Sequence, residues 1–428
     1  MKLIKYPEKQ EIPDLLKRPV FDIEVMFERV DPLIRRVIED GDDALRGFTQ
    51  RFDGVSLKRI AVTRDEITDA GSMVSPKLKA AIEHAGANIR RFHESQRESG
   101  LRVEIAPGVT CWRKGVPIDR VGLYIPGGSS PLFSTLLMLA IPAQVAGCSD
   151  IVVCSPPQKN GRIAPEVLYI CEKLGITKVY KVGGAQAIAA MAYGTETIPK
   201  VDKIFGPGNQ YVTAAKQMVS ARGIAIDLPA GPSEVMVVAD ETARPDFVAA
   251  DLLSQAEHGP DSQAILITTS EGLIAQVQAE IMRLKTILSR RHIIEQALKN
   301  SIVVLVANLG QAMDMVNIYA PEHLILAVSD PEQAAEKVRN AGSVFLGNYS
   351  PESAGDYASG TNHTLPTNHY AAAYSGVSLD SFIKKITFQR LTKNGLDSLA
   401  PTIETMARAE GLDAHAMAVS LRVKKDLP

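Results

Sequence analysis

Short runs of β-branched and apolar residues alternate with longer amphipathic or apolar segments through the middle of the chain. The short runs predict strands at 120–125, 150–154, 178–182, 203–205, 264–269, 301–306 and 324–328. The longer segments predict helices at 131–146, 164–174, 185–193, 210–221, 244–257 and 272–300. This alternation predicts a mainly parallel α/β architecture.

The two ends of the chain follow a different pattern. Charged segments with apolar stripes predict helices at 21–48 and 75–98, and the last sixty residues are predicted as mostly helical, at 379–391, 398–411 and 414–423. Residues 349–369 are rich in Ser, Gly, Thr, Asn and Pro. They predict a long loop, and loops of that length are often functional.

Length and charge narrow the class of protein. A chain of 428 residues is too long for one core, so we expect two or more domains. The net charge of −2 gives no reason to expect nucleic acid or an anionic membrane as a partner. The N-terminus has no signal-peptide pattern, and the apolar run 132–146 is broken by Pro142. Four cysteines fit a reduced compartment, and we expect a cytoplasmic protein.

Three glycine-bearing turns stand directly before predicted helices and raise the question of a nucleotide. They are Tyr124-Ile-Pro-Gly-Gly128, Val182-Gly-Gly-Ala-Gln186 and Phe205-Gly-Pro-Gly-Asn209. The Gly-x-Gly-x-x-Gly fingerprint is absent, and any one such turn is more often an ordinary βα connection. Three on successive βα units would share one sheet edge, where α/β sheets bind ligands. Tyr124, Gln186 and Asn209 could then contact a dinucleotide.

A metal site is suggested by Gln255 and His258, which lie three apart at the end of a predicted helix that stops at Gly259-Pro260. That spacing places both side chains on one face, and imidazole and amide oxygen both bind zinc. Taken alone, the pair is more often a surface feature of a helix end. Asp356 and His415 could complete the site, but spacing does not show that they converge.

Acid–base chemistry is suggested by Glu322 and His323, which stand just before an apolar strand. Histidine is the natural base near neutral pH, and glutamate can activate water. Without context, a solvated pair at a strand edge is the commoner arrangement. His363 in the polar loop is a further site candidate, whereas His84, His93 and His292 are expected on the surface.

Together these segments resemble the histidinol dehydrogenase family. The matching stretches, in the family's order, are Asp119–Gly128, Gly183–Gln186, Phe205–Asn209, Ala230–Glu234, Leu253–Gly259, Ala320–His323, Gly355-Asp356, Ser359–His363 and Glu410–His415. One departure is visible, because His369 stands where a glycine is expected in the turn after Leu365-Pro-Thr367.

The resemblance implies two Rossmann-like parallel-sheet domains with helical extensions, in an intertwined homodimer. It implies an N-terminal arm at 1–23, a larger α/β domain at 24–123 and 234–360, an NAD-binding incomplete Rossmann-like domain at 124–233 and a C-terminal helical arm at 361–428. Zinc, one per subunit, would be held by Gln255, His258, Asp356 and the second subunit's His415. Substrate contacts are implied for Ser233, His363 and Glu410, together with His323 and the four zinc ligands.

The implied reaction oxidises L-histidinol through L-histidinal to L-histidine, the last step of histidine biosynthesis, with two NAD and one water. Tyr124, Gln186 and Asn209 would contact NAD, and Glu322 and His323 would be the acid–base pair. His323 would take protons in both oxidations, and Glu322 would activate water between them. Whether the metal is zinc or manganese stays open, and a thiol route through Cys148 or Cys154 is a minor alternative.

Three other functions remain to be distinguished. A related zinc- and NAD-dependent dehydrogenase of a sulfonated propanediol would need another anchor for an anionic substrate, whereas Glu410 suits an amine. A zinc hydrolase would use Glu322 on metal-bound water without NAD. A non-catalytic ligand-binding protein would bind without turnover.

Overall fold

The computed structural model describes residues 1–18, 23–98, 100–127, 132–229 and 231–423, which form three sheets. Gly128 of a glycine turn, Pro131 at the start of a predicted helix and Ala230 of a family motif lie outside these residues. The described chain divides into two units. The first is Met1–Gln96 with Ile118–Phe382, and the second combines the described parts of 97–117 and 383–428.

The strands in chain order are β1 (Lys2–Lys5), β2 (Arg102–Ala106), β3 (Val109–Pro117), β4 (Arg120–Tyr124), β5 (Asp150–Cys154), β6 (Lys178–Tyr180), β7 (Lys203–Phe205), β8 (Ala225–Ile226), β9 (Glu234–Ala239), β10 (Gln263–Thr268), β11 (Ile302–Leu305), β12 (His323–Ala327), β13 (Ser343–Leu346) and β14 (Ile383–Leu391). The helices are α1 (Ile12–Leu15), α2 (Ile23–Phe48), α3 (Arg64–Met73), α4 (Pro76–Glu94), α5 (Phe133–Ala146), α6 (Pro165–Lys173), α7 (Gly184–Tyr193), α8 (Gln210–Ala221), α9 (Pro245–Ala256), α10 (Glu271–Leu284), α11 (Arg291–Ala297), α12 (Leu309–Tyr319), α13 (Pro331–Ala335), α14 (Glu352–Tyr357), α15 (Lys393–Ala409) and α16 (Asp413–Val423).

A six-stranded parallel sheet in the first unit has the order β1-β11-β10-β9-β12-β13. Its central strands are apolar on both faces, as expected for a parallel sheet covered on both sides. Val235 and Val237 pack with α9, α10 and α11, while Met236 and Val238 pack with α1 and α12. This double burial fixes the register of β9 beside β12.

A five-stranded parallel sheet in the same unit has the order β6-β5-β4-β7-β8. One face packs against α2, α7 and α8. Helix α5 is buried almost all round, which is typical of a helix inside a large core. These two sheets confirm the predicted α/β class with parallel strands.

The second unit contains an antiparallel sheet, β14-β3-β2, together with α15 and α16. The prediction of a helix at 379–391 is wrong, because a short 3-10 turn at Leu379–Phe382 leads into β14. Residues 383–391 pair along their whole length with β3, and Phe388 stacks on Trp112 at 5.4 Å. Cross-strand aromatic packing of this kind outweighs a weak helical pattern.

Four further differences concern the first unit. Strand β9, the centre of the larger sheet, was missing from the predicted strands. The single helix predicted at 272–300 is two helices, α10 and α11, and part of the predicted loop at 349–369 is helix α14. His93, expected on the surface, is fully buried and hydrogen-bonds to Ile89 O at 2.9 Å, because α4 turns that face toward the core.

Within the described residues, no helix has the length and apolar character that crossing a bilayer requires.

Candidate active site

Glu322 and His323 lie at the amino end of β12, directly beside the amino end of β9. The register pairs His323 with Val235, which places Glu322 opposite Glu234. Glu322 is 7% exposed and His323 is 3% exposed. The interpretation of Glu322 and His323 as a solvated pair at a strand edge is therefore wrong. The two side chains form part of a buried polar centre.

Hydrogen bonds and one ion-pair contact connect this pair to neighbouring elements. Glu322 Oε2 accepts from the Glu234 N–H at 2.8 Å. His323 Nδ1 lies 3.0 Å from Gln255 Nε2 and 3.3 Å from the Glu234 carbonyl oxygen. On the other side of the ring, His323 Nε2 is 3.3 Å from Asp356 Oδ1. The imidazole is thus held between the end of α9 and helix α14.

The charges around His323 decide its protonation. Burial alone lowers the pKa of His323, but Glu322, Asp356 and Glu352 together raise it well above its usual value. Burial raises the pKa of Asp356, yet its interactions with His323, His363 and His258 bring it below the usual value. Both shifts have the same cause, the attraction between the His323 ring and the carboxylates around it. A cation at Asp356 would weaken that attraction and make a neutral imidazole easier to reach.

Gln255 carries an observation that points to a ligand. Its side chain is 1% exposed, and its Nε2 donates to the Glu234 carbonyl oxygen at 3.1 Å. Its Oε1 has no hydrogen-bond partner among the described residues. Buried amide oxygens are normally satisfied, so this oxygen is free to coordinate a cation.

The other metal candidates lie close to Gln255. Asp356 is on α14. The charge of His258 contributes to the low pKa of Asp356. Helix α9 ends at Ala256, so His258 lies in the exposed turn before Gly259-Pro260 rather than on the helix. In the described chain, no three His, Cys, Asp or Glu side chains form a metal-binding group. Gln255, His258 and Asp356 would supply mixed oxygen and nitrogen donors, which are donor types that zinc accepts.

His363 connects the loop after α14 to the second parallel sheet. Its Nδ1 is 2.8 Å from the Asp356 carbonyl oxygen, and its Nε2 is 3.0 Å from Thr135 Oγ1 on α5. Burial lowers the pKa of His363 below its usual value, which favours the neutral ring. One nitrogen can then donate to Asp356 while the other accepts from Thr135.

Glu352 lies one turn before Asp356 and is 1% exposed. Burial raises the pKa of Glu352 to about 8, and Ser254 Oγ donates to its Oε1 at 2.5 Å. Its Oε2 has no partner among the residues the structure describes. This buried carboxyl group therefore interacts electrostatically with both His323 and Asp356.

The three nucleotide candidates meet at the carboxyl edge of the five-stranded sheet. Tyr124 ends β4, Gln186 lies in the first turn of α7 after β6, and Asn209 caps α8 after β7. Tyr124 Oη accepts from the Gly184 N–H at 3.1 Å, and burial raises its pKa to about 12. Asn209 Oδ1 accepts from the N–H groups of Tyr211 and Val212, at 3.0 and 3.2 Å.

The backbone conformation of the turn between β7 and α8 explains why Gly206 is a glycine. Gly206 has a φ of +127°, and a Cβ there would lie 2.1 Å from the Tyr124 carbonyl oxygen. Buried Asp227 accepts from the Gly206 N–H at 2.8 Å, and Lys216 donates to the Gly206 carbonyl at 2.9 Å. Lys216 and Asp227 also form a buried ion pair. The turn is therefore fixed from both sides.

The remaining predicted site residues are Ser233, Glu410 and His415. Ser233 is half-buried and immediately precedes β9. Glu410 follows α15 and His415 is in the first turn of α16, both exposed in the second unit.

The cysteines proposed for a thiol route have unsuitable surroundings. Burial raises the pKa of Cys148 to about 11 and raises that of Cys154 further. A thiol is a nucleophile through its thiolate, so both groups are poorly activated. Among the other histidines, His84 and His292 are exposed as expected.

Sequence reasoning missed four residues that contact the site. Arg18 binds the Glu234 carboxylate, and Thr135 contacts His363. Glu352 interacts electrostatically with Asp356. Glu234 is fully buried at the start of an apolar strand. An acid directly before Val-Met-Val-Val was the available signal, because a buried carboxylate requires a partner.

Comparisons with known proteins agree over nearly the whole chain. The family model described as histidinol dehydrogenase matches residues 16–423. Histidinol dehydrogenase from Bacteroides thetaiotaomicron is 58% identical, with 99% of each chain covered. The enzyme of the same name from Vibrio vulnificus is 54% identical, covering 92% of this chain and 91% of that one. The crystal structure of histidinol dehydrogenase from Elizabethkingia anophelis has a TM-score of 0.97 at 54% identity, covering 99% of this chain and 98% of that one.

Proposed function

The chain belongs to the histidinol dehydrogenase family and is an oxidoreductase of histidine biosynthesis, and from this premise we propose how its residues divide the work. The reaction is the four-electron oxidation of L-histidinol through L-histidinal to L-histidine, with two NAD and one water. The observation that carries the proposal is the buried Oε1 of Gln255, which has no hydrogen-bond partner in the described part of the chain, on a side chain whose Nε2 contacts His323.

Zinc would be held by Gln255, His258 and Asp356 of one subunit and by His415 of the other subunit of a homodimer. When bound, zinc is redox-inert and anchors and orients the substrate. The buried side chain of Gln255 and the carboxylate of Asp356, which contact opposite sides of the His323 ring, support this assignment, and His258 follows Gln255 in the exposed turn after α9. Ser233, His363 and Glu410 would complete the substrate contacts, and the carboxylate of Glu410 suits the cationic amine of histidinol.

NAD would bind at the carboxyl edge of the five-stranded sheet in a Rossmann-like manner, contacting Tyr124, Gln186 and Asn209. When bound, NAD accepts the hydride of each oxidation. The meeting of three strand ends at one edge supports this position, because such edges bind ligands in α/β sheets. His363, which contacts α5 of this sheet, links it to the acid–base centre.

His323 would accept the alcohol proton in the first oxidation and the proton of the aldehyde hydrate in the second. Glu322 would take a proton from water between these steps as the water attacks the aldehyde. Each role is worth about 10²–10⁴-fold in rate. Glu322 is aligned by the Glu234 N–H, and His323 is held by Gln255 and Asp356, so both groups are oriented before substrate arrives.

Subunit exchange tests the shared metal site. His415→Ala and the double variant Gln255→Ala, His258→Ala should each lose zinc and activity. Mixed in equal amounts, they should regain about a quarter of wild-type activity, because heterodimers rebuild one intact site. His292→Ala, an exposed histidine, is the control. No regain after verified exchange would exclude a site shared between subunits.

Substrate choice needs a separate assay. The proposal expects turnover of L-histidinol and none of dihydroxypropanesulfonate, because Glu410 repels an anionic group. Equal turnover of both would contradict the assignment of Glu410 to the substrate amine.

A further inference from the structure

The main chain of Glu234 contacts three of the proposed site residues at once. Its N–H donates to Glu322 Oε2 at 2.8 Å, and its carbonyl oxygen accepts from Gln255 Nε2 at 3.1 Å. The same carbonyl oxygen lies 3.3 Å from His323 Nδ1. A small movement of this one peptide segment would therefore displace the acid, the base and a proposed metal ligand together.

The side chain of Glu234 is anchored by a residue from the N-terminal segment. The Arg18 guanidinium makes two parallel contacts with the carboxylate, Nε to Oε1 at 2.5 Å and Nη2 to Oε2 at 2.8 Å. The Asn368 N–H also donates to Oε1, at 2.8 Å. The Glu234 side chain is 3% exposed and that of Arg18 is 14% exposed, so water screens this pair poorly.

Arg18 is itself held in place. Its Nη2 donates to the Tyr319 carbonyl oxygen at 2.8 Å, and its guanidinium lies 3.8 Å above the centre of the Tyr319 ring. Gln263 ties the two neighbours together, because its Nε2 donates to the Lys17 carbonyl and its Oε1 accepts from Tyr319 Oη at 2.7 Å. The fork of two guanidinium donors is a geometry that lysine does not reproduce.

We propose that Arg18 and Glu234 are positioning residues for the Glu322–His323 pair. The ion pair fixes the Glu234 peptide, and that peptide aligns Glu322 through its N–H and Gln255 through its carbonyl. Arg18 also balances the charge of Glu234, which otherwise lies buried beside a second carboxylate, Glu322. Misplacement of a reacting group by about 1 Å can lower a rate by about 10²-fold. This inference rests on the proposed roles of Glu322 and His323.

The test uses Arg18→Met, Arg18→Lys and Glu234→Gln in the full-length, zinc-loaded protein. Single-turnover rates are measured separately for the alcohol and aldehyde steps, with KM for NAD, bound zinc and Tm. We expect Arg18→Met to slow aldehyde oxidation by about 10²-fold and alcohol oxidation less, with KM for NAD unchanged. Arg18→Lys should be intermediate, and Arg18→Met combined with Glu234→Gln should be faster than Arg18→Met alone, because no unpaired charge remains.

Arg244→Lys is the matched control, since Arg244 makes a similar contact with Asp246 on the exposed surface. Wild-type rates in Arg18→Met would overturn the inference. So would rates that fall equally in both oxidation steps and in proportion to the loss of folded protein. If Arg18→Met does not fold, the isosteric variant Glu234→Gln tests the inference instead. We expect it to oxidise the aldehyde about 10-fold more slowly while it keeps its full zinc content. Wild-type rates in Glu234→Gln would then overturn it. Absence of histidinol turnover in the wild type would instead count against the proposed function.

Discussion

Two sheet edges in the first unit carry the candidate chemistry, and they are built in opposite ways. The acid–base centre lies at the amino ends of β9 and β12 in the six-stranded sheet. It gathers buried charged groups and buried polar atoms that have no hydrogen-bond partner among the described residues, Gln255 Oε1 and Glu352 Oε2 among them. The nucleotide candidates lie at the carboxyl ends of β4, β6 and β7 in the five-stranded sheet.

At that second edge, two of the three polar side chains already have internal partners. Tyr124 accepts from Gly184, and Asn209 caps α8. The acid–base edge therefore carries buried charged side chains, whereas these two polar side chains of the nucleotide edge hydrogen-bond to the backbone of the turns around them. The difference predicts that substitutions at the first edge affect chemical steps, and substitutions at the second affect cofactor binding and stability.

The largest effect is expected from His323→Asn at the acid–base edge. Removing the base should lower both oxidation steps by about 10²–10⁴-fold, because both require a proton acceptor. Single-turnover measurements started from histidinol and from histidinal would give the two rates. His292→Asn, an exposed histidine, should leave both unchanged. An unimpaired alcohol step in His323→Asn would remove this residue from the first oxidation.

Glu322→Gln should slow aldehyde oxidation more than alcohol oxidation. The amide oxygen can still accept from the Glu234 N–H, but the group no longer takes a proton from water. We expect aldehyde oxidation to fall by about 10²–10⁴-fold, with a smaller loss in alcohol oxidation. Glu332→Gln, at an exposed position, serves as the control. Equal losses in both steps would contradict the separate role of Glu322.

At the nucleotide edge, Asn209→Ala should lower the free energy of unfolding by about 1 kcal/mol, because it removes the cap of α8. It should also raise KM for NAD without changing KM for histidinol. Asn308→Ala is a close control, because Asn308 caps α12 beside the other sheet. A rise in KM for NAD in both variants would show that loss of any cap is sufficient.

The smallest effect is expected from His369→Gly, which restores the residue anticipated in that turn. His369 has a φ of +68°, in the left-handed region that glycine adopts readily. The gain in the folded state is partly offset by the freer unfolded chain, so we expect stabilisation of at most about 1 kcal/mol. His292→Gly on α11 should instead destabilise by roughly 1 kcal/mol. Equal destabilisation by both would contradict this explanation, and denaturant unfolding measures it.

The fold class could be predicted because buried parallel strands and covering helices differ in period. Helix α8 was predicted at its observed bounds, and the strands at 150–154 and 203–205 likewise. Strand β9 was missed although all six of its residues are buried. Its short run begins with Glu234, and a buried acid interrupts an apolar pattern. Strand β14 was missed because its pairing partner, β3, is distant in the chain.

The candidate site could be predicted residue by residue through local motifs, but its convergence could not. Gln255 and His323 are 68 positions apart, and no spacing indicates that their side chains meet. Arg18 and Glu234 are 216 positions apart, and nothing local to either residue reveals the pair. Such contacts follow from strand order and register, which long-range packing decides. The roles of Glu410 and His415 stay predictions from the family resemblance.

The central claim is that one zinc-dependent site performs two successive oxidations of histidinol. Its most direct measurement counts NADH formed per L-histidinol consumed, before chelation, after chelation and after zinc is restored. The account predicts a value of about two, its loss on chelation and its return with zinc, because each oxidation transfers one hydride. A value of one, or full turnover in the chelated protein, would contradict it.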